Sequence, residues 1–558
     1  MATTNLEGCM KAVRTLPDDL RGRVALVDES IIISEEQKGK IEIINLSTTT
    51  SRLGILTIRF VPPARFDAEY ARYASRTGLG DTDIQQMAID LIARAHAQGA
   101  SDIHIVDMGT FCKTRFRILG MLVDDMELDG DTGRRLIRTI YEHLGSSQDS
   151  PTFDVISPLD GRIANRDFLP HGVHSVRIHS EPVECINGEN GYGTFMPLRL
   201  IHDTSGASGT LEERLAKLGF TSSDVTITDR SGKQRTAYAQ TALFRALANR
   251  NGMTLISGCT GSGKSTALAH TMEALIQERP GDNFISVEDP PEKPIPGMHQ
   301  IRVNSKLDQQ RSGGLLSAYT LAIAGTNRDD PDTVMIGEIR YADAAMAAIE
   351  VAQSGHAVWA TIHASDAFGI LTRLEVMLRG HMTEPLRTVC DPTVLSGVEY
   401  QRLIARLCPH CRKPLGEDRK ALRTELRGRL ERCLPPELIY GDSRHDGMFL
   451  RNEDGCEHCR ASGQPGLLRQ TVVAEVVAID PVMLAMLREG DMESARVYWR
   501  DELHGMTYFE HARLLLTQGI LDPVTTEDQL SMPIDYDLDR DRQAQKRSSA
   551  KSGAERWL

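Results

Sequence analysis

The stretch "SGCTGSGKST", Ser257–Thr266, has the spacing G-x-x-x-x-G-K-[ST], with Gly258, Gly263, Lys264 and Ser265 at the fixed positions. An apolar run, "MTLIS", comes before it, and a segment with helical spacing of apolar residues follows it. A loop between a strand and a helix places backbone N–H groups and the positive end of the helix around phosphate groups. The stretch therefore predicts a nucleotide-binding loop in an α/β domain, and a chance glycine-rich turn is the disfavoured alternative. It leaves open what the nucleotide is used for.

Every residue of this loop is a candidate for contact with the nucleotide. We expect Lys264 to reach the β- and γ-phosphates and the hydroxyl of Ser265 to bind Mg²⁺. The candidate nucleotide-binding residues are Gly258, Cys259, Thr260, Gly261, Ser262, Gly263, Lys264, Ser265 and Thr266.

Acidic residues follow two other apolar runs that read as strands. "FISVEDPPE" carries Glu288, Asp289 and Glu292, and "TVMIGEIR" carries Glu338. Strands that alternate with helical segments predict a parallel sheet with helices on both faces, and the carboxyl ends of such strands meet at one edge. These acids are therefore candidates for holding Mg²⁺ or an attacking water, although solvated loop acids are the alternative. A further strand, "GHAVWATIH", ends at His363, which is either a phosphate sensor or a structural hydrogen-bonding group.

Length and composition describe an ordinary soluble protein. The chain has 558 residues, of which 41% are hydrophobic and 25% charged, so three or four domains are expected. Its net charge of −13 argues against nucleic acid as the main partner. Because no signal peptide or apolar run of spanning length is found, we expect a cytoplasmic protein that reaches a membrane only by docking.

Four of the ten cysteines form two CxxC pairs, "CPHC" and "CEHC". Two such pairs can close a tetrahedral site with zinc–sulfur distances near ~2.3 Å, and a site with four protein ligands is structural. A redox dithiol is the alternative, and His410 and His458, inside the CxxC turns, are not expected to be ligands. The candidate zinc ligands are Cys408, Cys411, Cys456 and Cys459.

Taken together, four sequence boxes occur in the order and spacing of the secretion ATPase superfamily. They are the P-loop (258–266), an Asp box (288–292), a Walker B box ending in G-E-I-R (334–340) and a His box (355–363). Over about 90–520 the chain resembles the type II secretion and type IV pilus assembly ATPases. The resemblance implies a RecA-like ATPase domain after an α+β, PAS-like N-terminal domain, and its tetracysteine favours assembly over retraction. The chain departs from the family at "IAGTN" (323–327), where a basic residue is common.

The resemblance also implies roles for individual residues. Glu292 would be the general base, Glu338 would support the water and the metal, and His363 would couple nucleotide state to the other domain. Three arginines match family positions, some of which act as arginine fingers across domains or subunits. These arginines are Arg162, Arg177 and Arg199.

The sequence predicts six segments. They are a small N-terminal unit (1–65), an α+β domain (66–205), the RecA-like domain (206–400), a zinc module (401–475), a helical part (476–533) and a disordered tail (534–558).

Together with these features, the resemblance implies a cytoplasmic, homohexameric, Mg²⁺-dependent ATPase that docks at the inner membrane. Its expected partner is the platform protein of a pilus or secretion system, and nucleic acid is not expected. The alternatives are a conjugation-linked pilus or secretion ATPase, a nucleic-acid translocase with a similar motor core, and an ATP-binding scaffold without turnover.

Overall fold

A computed structural model gives the fold, which divides into two compact units, 1–203 and 204–558. The residues described are 24–27, 30–35, 57–63, 65–66, 81–148, 150–203, 209–303, 317–416, 422–441, 447–460, 463–538 and 540. Among them, no helix combines the length and the apolar character needed to cross a membrane.

The first unit contains a three-stranded sheet and a seven-stranded sheet. The small sheet has the order β1-β2-β3, and the large one has the order β6-β5-β4-β10-β9-β8-β7. The strands are β1 (Val24–Val27), β2 (Ser30–Ser34), β3 (Thr57–Val61), β4 (Ala100–Asp107), β5 (Phe111–Ile118), β6 (Met121–Asp129), β7 (Ser147–Gln148), β8 (Leu159–Ile163), β9 (Val173–Glu189) and β10 (Tyr192–His202).

Two helices cover one face of the large sheet. Helix α1 (Asp81–Ala97) buries the stripe Ile84, Ala88, Leu91 and Ala95, which has the spacing of one helical face. Helix α2 (Gly130–Thr139) begins at the capping carboxylate of Asp129 and continues as a π-helical turn, Ile140–Leu144. The opposite face of the sheet carries charged residues on four adjacent strands, which are Asp102, Arg162, Arg177 and Arg199.

The second unit contains a seven-stranded sheet with the order β15-β14-β16-β17-β13-β18-β21. All neighbours in it are parallel except β18 and β21, which are antiparallel. Its strands are β13 (Gly252–Ser257), β14 (Phe284–Glu288), β15 (His299–Arg302), β16 (Thr333–Ile336), β17 (Ala357–Ile362), β18 (Leu395–Leu407) and β21 (Leu467–Ala478). Short two-stranded sheets are formed by β11 (Val225–Thr228) with β12 (Gln234–Ala237), and by β19 (Lys413–Pro414) with β20 (Phe449–Leu450).

Helices lie on both faces of this sheet, which explains why its central strands are buried throughout. Leu268 and Met272 of helix α5 (Lys264–Glu278) share one core with Ile256 and Trp359, while Leu255 belongs to the core of the other face. The helices are α3 (Leu211–Leu218), α4 (Gln240–Ala248), α5 (Lys264–Glu278), α6 (Ala318–Gly325), α7 (Ala342–Gln353), α8 (Gly369–Leu378), α9 (Pro385–Val389), α10 (Thr424–Cys433), α11 (Pro436–Tyr440), α12 (Glu457–Arg460), α13 (Pro481–Arg488), α14 (Met492–Asp501), α15 (Tyr508–Thr517) and α16 (Pro523–Leu530).

The expected zinc module (401–475) is not separate from the ATPase sheet. Its two boundaries fall inside β18 and β21, which are paired neighbours in that sheet. The segment between these strands, 408–466, is an arm whose residues Leu426, Leu430 and Ile439 join the same apolar core as the sheet. The sequence did not predict this connection, because the arm shows no clear apolar periodicity. Its helices are short, and its core is shared with distant segments.

The prediction of a disordered tail was wrong for its first residues. Ile534 and Asp537 are buried, and Asp537 forms an ion pair with Arg513 at 2.7 Å. The segment is rich in acids, but Asp537 pairs with the buried Arg513 and Asp535 with Arg432, so its charge pattern does not mean solvation. Residues 541–558 lie outside the described part, and the remaining domain boundaries stay predictions.

Candidate functional site

The P-loop joins the end of β13 to the start of α5, and three of its glycines have positive φ. The φ angles are 152° at Gly258, 78° at Gly261 and 86° at Gly263. A Cβ atom added to Gly258 would lie 2.4 Å from the carbonyl oxygen of Gln401. The loop conformation therefore depends on glycine, which adopts such angles without steric cost.

This loop fits phosphate groups. Gly263 caps α5 without a side-chain hydrogen bond, so the first N–H groups of the helix face the loop. The tip residues Cys259, Thr260 and Gly261 are exposed, and so is Ser265 in the first turn. An exposed hydroxyl beside a helix N-terminus is the arrangement that a Mg²⁺-bound phosphate chain requires.

Lys264 lies folded against the loop. Its ammonium donates to the carbonyl oxygens of Gly258 at 2.9 Å and Cys259 at 3.3 Å. Burial lowers the pKa of Lys264, and the negative charges of Glu338 and Glu292 act in the opposite direction. The two acids predicted for catalysis therefore act electrostatically on the lysine predicted to bind phosphate.

Two acids of the Asp box, Glu288 and Glu292, differ in their contacts. Glu288 is buried and accepts hydrogen bonds from Ser286 Oγ at 2.7 Å and Gln300 Nε2 at 2.9 Å. Burial raises its pKa, and the backbone N–H of Glu292 also donates to it. Glu288 thus supports the local structure, and the role of Glu292 as the general base stays a prediction.

Glu338 and His363 are in direct contact. His363 Nε2 lies 3.1 Å from Glu338 Oε1, and the ring also hydrogen-bonds the backbone of Gly258. Burial and the nearby charge of Lys264 lower the pKa of His363. The ring joins the end of β17 to both the acid and the P-loop.

Sequence reasoning singled out neither Arg340 nor Tyr319, which both hold Glu338. Arg340 Nη2 lies 2.8 Å from Glu338 Oε2. The hydroxyl of Tyr319 accepts from the Glu338 backbone N–H and donates to the carbonyl oxygen of Val287, each at 3.2 Å. Arg340 is the last residue of the Walker B box, so the motif could have identified it. No sequence pattern around Tyr319 indicates its role.

Two polar residues of β18 lie behind the P-loop and were also missed. Gln401 Nε2 donates to the carbonyl oxygen of Ser262 at 2.6 Å. Glu399 is fully buried, and burial raises its pKa well above the ordinary value. The segment "VEYQ" (398–401) could have indicated them, because it places two polar residues inside a strand.

In the first unit, the three predicted arginines stand side by side on adjacent strands. Arg162 of β8 is the register partner of Arg177 of β9, which is the partner of Arg199 of β10. Arg199 is in turn opposite Asp102 of β4, and its Nε donates to Asp102 at 3.0 Å. Like charges directly opposite one another destabilise a sheet, and the carboxylate of Asp102 offsets part of this repulsion at Arg199.

The four predicted ligand cysteines converge at the base of the arm, where they form what we call the tetracysteine cluster. The sulfur–sulfur distances are 3.7 Å for Cys408–Cys456, 3.8 Å for Cys411–Cys459 and 3.8 Å for Cys456–Cys459. A tetrahedron with metal–sulfur bonds near ~2.3 Å has edges of about 3.8 Å. The backbone N–H of Gly466 donates to Cys459 Sγ at 3.1 Å, a common support for a thiolate ligand. These residues therefore fit one tetrahedral metal ion.

Comparison with known proteins places this site in a family. The profile of the family described as "Type II/IV secretion system protein" matches residues 79–528, which include the P-loop, both acids, His363 and all four cysteines. The chain belongs to this family. Membership confirms the resemblance seen in the four boxes, the α/β fold and the assignment as an ATPase.

Two relatives and one solved structure illustrate the match. The type II secretion system protein E of Dickeya dadantii is 29% identical over 418 residues, covering 75% of this chain and 70% of that protein. The type IV pilus assembly ATPase TfpB of Acinetobacter baylyi is 30% identical over 387 residues, covering 69% of this chain and 55% of that protein. The X-ray structure of the Legionella pneumophila ATPase DotB is 19% identical, with a TM-score of 0.49, and covers 78% of this chain and 93% of that one.

Proposed function

We propose that this chain is a hexameric motor that hydrolyses Mg·ATP to drive assembly of a type IV pilus or a type II secretion pseudopilus. It would act at the cytoplasmic side of the inner membrane through a platform protein. The observation that carries the proposal is the meeting of Lys264, Glu338 and His363 around the carbonyl of Gly258. This arrangement connects the phosphate-binding loop with the ends of two neighbouring strands.

The residues suggest how hydrolysis proceeds. Lys264 would exchange the loop carbonyls for phosphate oxygens, since an ammonium prefers charged acceptors. Glu292 would take a proton from the attacking water, and Glu338 would orient that water with Arg340 and Tyr319 fixing its position. Mg²⁺, held by Ser265 and the acids, would supply charge neutralisation at the β- and γ-phosphates.

The arginine row would complete the site from the first unit or from a neighbouring subunit. Arg162, Arg177 and Arg199 form a concentrated positive charge on one face of the sheet. An arginine finger raises the rate of phosphoryl transfer by about 10³–10⁵. Loss of the γ-phosphate would remove the charge that attracts this row, and the resulting motion would do the mechanical work.

The tetracysteine cluster would bind zinc as a structural ion. It joins the end of β18 to the start of β21, where the arm 408–466 leaves the sheet. A closed set of four thiolates has no free coordination position for catalysis. The ion would therefore fix the arm to the sheet without taking part in hydrolysis.

Two variants test the proposed site. Lys264→Ala should lose both nucleotide affinity and hydrolysis, because it removes the charge that meets the phosphates. Glu338→Gln should bind ATP normally yet lose about 10²-fold or more in turnover, because a positioned acid contributes on that order. Arg379→Ala, which alters an i,i+4 pair between the exposed Arg379 and Glu375 at the end of α8, is the control.

The same assay separates the alternatives. Near-normal turnover in Glu338→Gln would remove this residue from the mechanism, and absence of turnover in the wild-type protein would indicate a scaffold. Strong stimulation of the ATPase by DNA would support a nucleic-acid translocase instead. Pilus or pseudopilus assembly in cells carrying Lys264→Ala in place of the wild type would contradict the proposed motor.

A further inference from the structure

The loop that follows His363 is held from the interior by a buried carboxylate. Glu475 of β21 is nearly fully buried, and its Oε1 accepts the backbone N–H of Ala367 at 2.7 Å. Its Oε2 lies 3.4 Å from the backbone nitrogen of Tyr508 at the start of α15. The loop 363–368, which we call the His-box loop, is thereby connected to β21 and to the C-terminal helices.

The same loop is held from outside by the last described residue of the chain. Arg540 Nη1 donates to Asp366 Oδ2 at 2.9 Å, and Arg540 Nη2 lies 2.7 Å from Glu493 Oε1 in the first turn of α14. The other oxygen of Asp366 accepts the backbone N–H of Gly369 at 2.8 Å, so this carboxylate also fixes the start of α8. Arg540 thus bridges α14 and the His-box loop.

Burial strengthens this bridge. The side chains of Arg540 and Asp366 are 22% and 15% exposed. Ion pairs that are shielded from water in this way are screened less than surface pairs, whose contribution is commonly below about 1 kcal/mol. Removing one partner of such a pair leaves the other charge shielded and uncompensated, which is costly, so the contact restricts the loop.

Arg540 and His363 also line one open groove. Its volume is about 440 Å³, and its walls include Asp366, Arg373 and Met492. No residue of the P-loop lines the groove. A change at Arg540 therefore reaches the site through the His-box loop and not through the nucleotide-binding loop.

We propose that Arg540 is a positioning residue of the ATPase, which holds the His-box loop so that His363 stays against Glu338. The inference rests on the proposed function only for the role given to His363. Under this proposal, residues 534–538 and Arg540 are a structural part of the catalytic unit. Sequence analysis had placed them in a disordered tail. Arg540 does not line the nucleotide-binding loop itself, and the His-box loop meets that loop through the hydrogen bond of His363 to Gly258, so loss of Arg540 should lower kcat more than it raises the KM for ATP.

The test compares Arg540→Ala, Arg540→Lys and Asp366→Asn in the full-length protein. Asn at 366 keeps an oxygen for the Gly369 N–H and removes the charge that Arg540 meets. We expect Arg540→Ala to lower kcat on the order of 10-fold, since displacement of a group at a catalytic site by about 1 Å can cost up to 10²-fold. Lysine should restore part of the rate, and the double variant Arg540→Ala/Asp366→Asn should lose no more than the worse single variant.

A second measurement does not depend on turnover. Hydrogen exchange at the amides of 363–368, read by mass spectrometry, should rise in Arg540→Ala and stay unchanged in Arg379→Ala. Wild-type exchange in Arg540→Ala, or wild-type kcat in that variant, would overturn the proposal, and so would strictly additive losses in the double variant. If the wild-type protein itself showed no turnover, the proposed function would fail, while the exchange result would still decide whether Arg540 holds the loop.

Discussion

At the scale of single residues, two glycines of the P-loop differ in what surrounds them. Gly258 and Gly261 both have positive φ, but a Cβ at Gly258 would meet Gln401 and Ser262 at 2.4 Å, whereas a Cβ at Gly261 would meet nothing within 4 Å. We expect Gly258→Ala to abolish nucleotide binding by displacing the loop. Gly261→Ala should bind nucleotide with a modest loss, since the conformational cost is about 1–2 kcal/mol. Titration with a fluorescent ATP analogue measures both, and equal affinities would contradict the steric argument.

Another residue-scale prediction concerns acid stability. His511 is fully buried, its Nδ1 accepts the backbone N–H of Ala474 at 3.1 Å, and burial lowers its pKa to about 4. The unfolded chain binds this proton near ~6.5, so the stability contributed by the neutral ring is complete above that pH and is lost as pH falls towards 4. We expect the free energy of unfolding to fall over that range, and to fall less steeply in His511→Asn, which keeps an acceptor.

The control for this prediction is His381→Asn, because His381 is exposed. Denaturant unfolding at several pH values supplies the measurement. The same slope in His511→Asn as in the wild type would show that other groups dominate acid unfolding.

At the scale of elements, the tetracysteine cluster connects two strands of the ATPase sheet. Cys408 follows β18 directly, and its backbone N–H donates to the carbonyl of Gly466, just before β21. We expect about one zinc per wild-type chain and a loss of it in Cys456→Ser, with faster proteolysis in the arm 408–466. The arm should loosen at its base and not unfold completely, because its leucines share the core of the sheet.

Metal analysis and limited proteolysis measure this effect. Cys185→Ala, a cysteine of the other unit, is the control and should keep the metal. Metal-free wild-type protein with the arm still resistant to protease would reject a structural ion.

The arginine row is also an element-scale feature, because only the register of three strands brings its members together. Replacing Arg162, Arg177 and Arg199 by Ala should abolish turnover, and ATP binding should persist because the P-loop lies in the other unit. The stability of the sheet should change little, since the relief of repulsion between adjacent like charges is offset by loss of the Arg199–Asp102 ion pair. A fully active triple variant would exclude these arginines from catalysis, and steady-state ATPase assays with thermal unfolding decide the point.

At the scale of the whole molecule, activity should depend on assembly. If a neighbouring subunit completes each site with its arginines, specific activity should rise with protein concentration as hexamers form. ATPase assays over a dilution series, with mass measured by light scattering under the same conditions, provide the test. A monomer that hydrolyses ATP as fast as the hexamer would refute the assembly requirement.

The sequence by itself determined the features that depend on local chemistry. A P-loop needs glycines at fixed positions, a lysine and a hydroxyl in succession, so the segment 258–266 could be recognised without a structure. The same is true of the CxxC pairs, because each pair closes its half of the metal site within one turn. Strand-end acids such as Glu338 were predictable since parallel strands bring their ends to one edge.

Only the tertiary structure decided which distant residues share a contact. The arginine row requires strand register, which depends on packing across the whole sheet. Tyr319 and Arg540 carry no local signal, and they matter because the fold brings them to Glu338 and Asp366. The packed segment 534–538 was misjudged for the same reason: the partners of its charges lie on other elements, and a sequence shows charges without showing their partners.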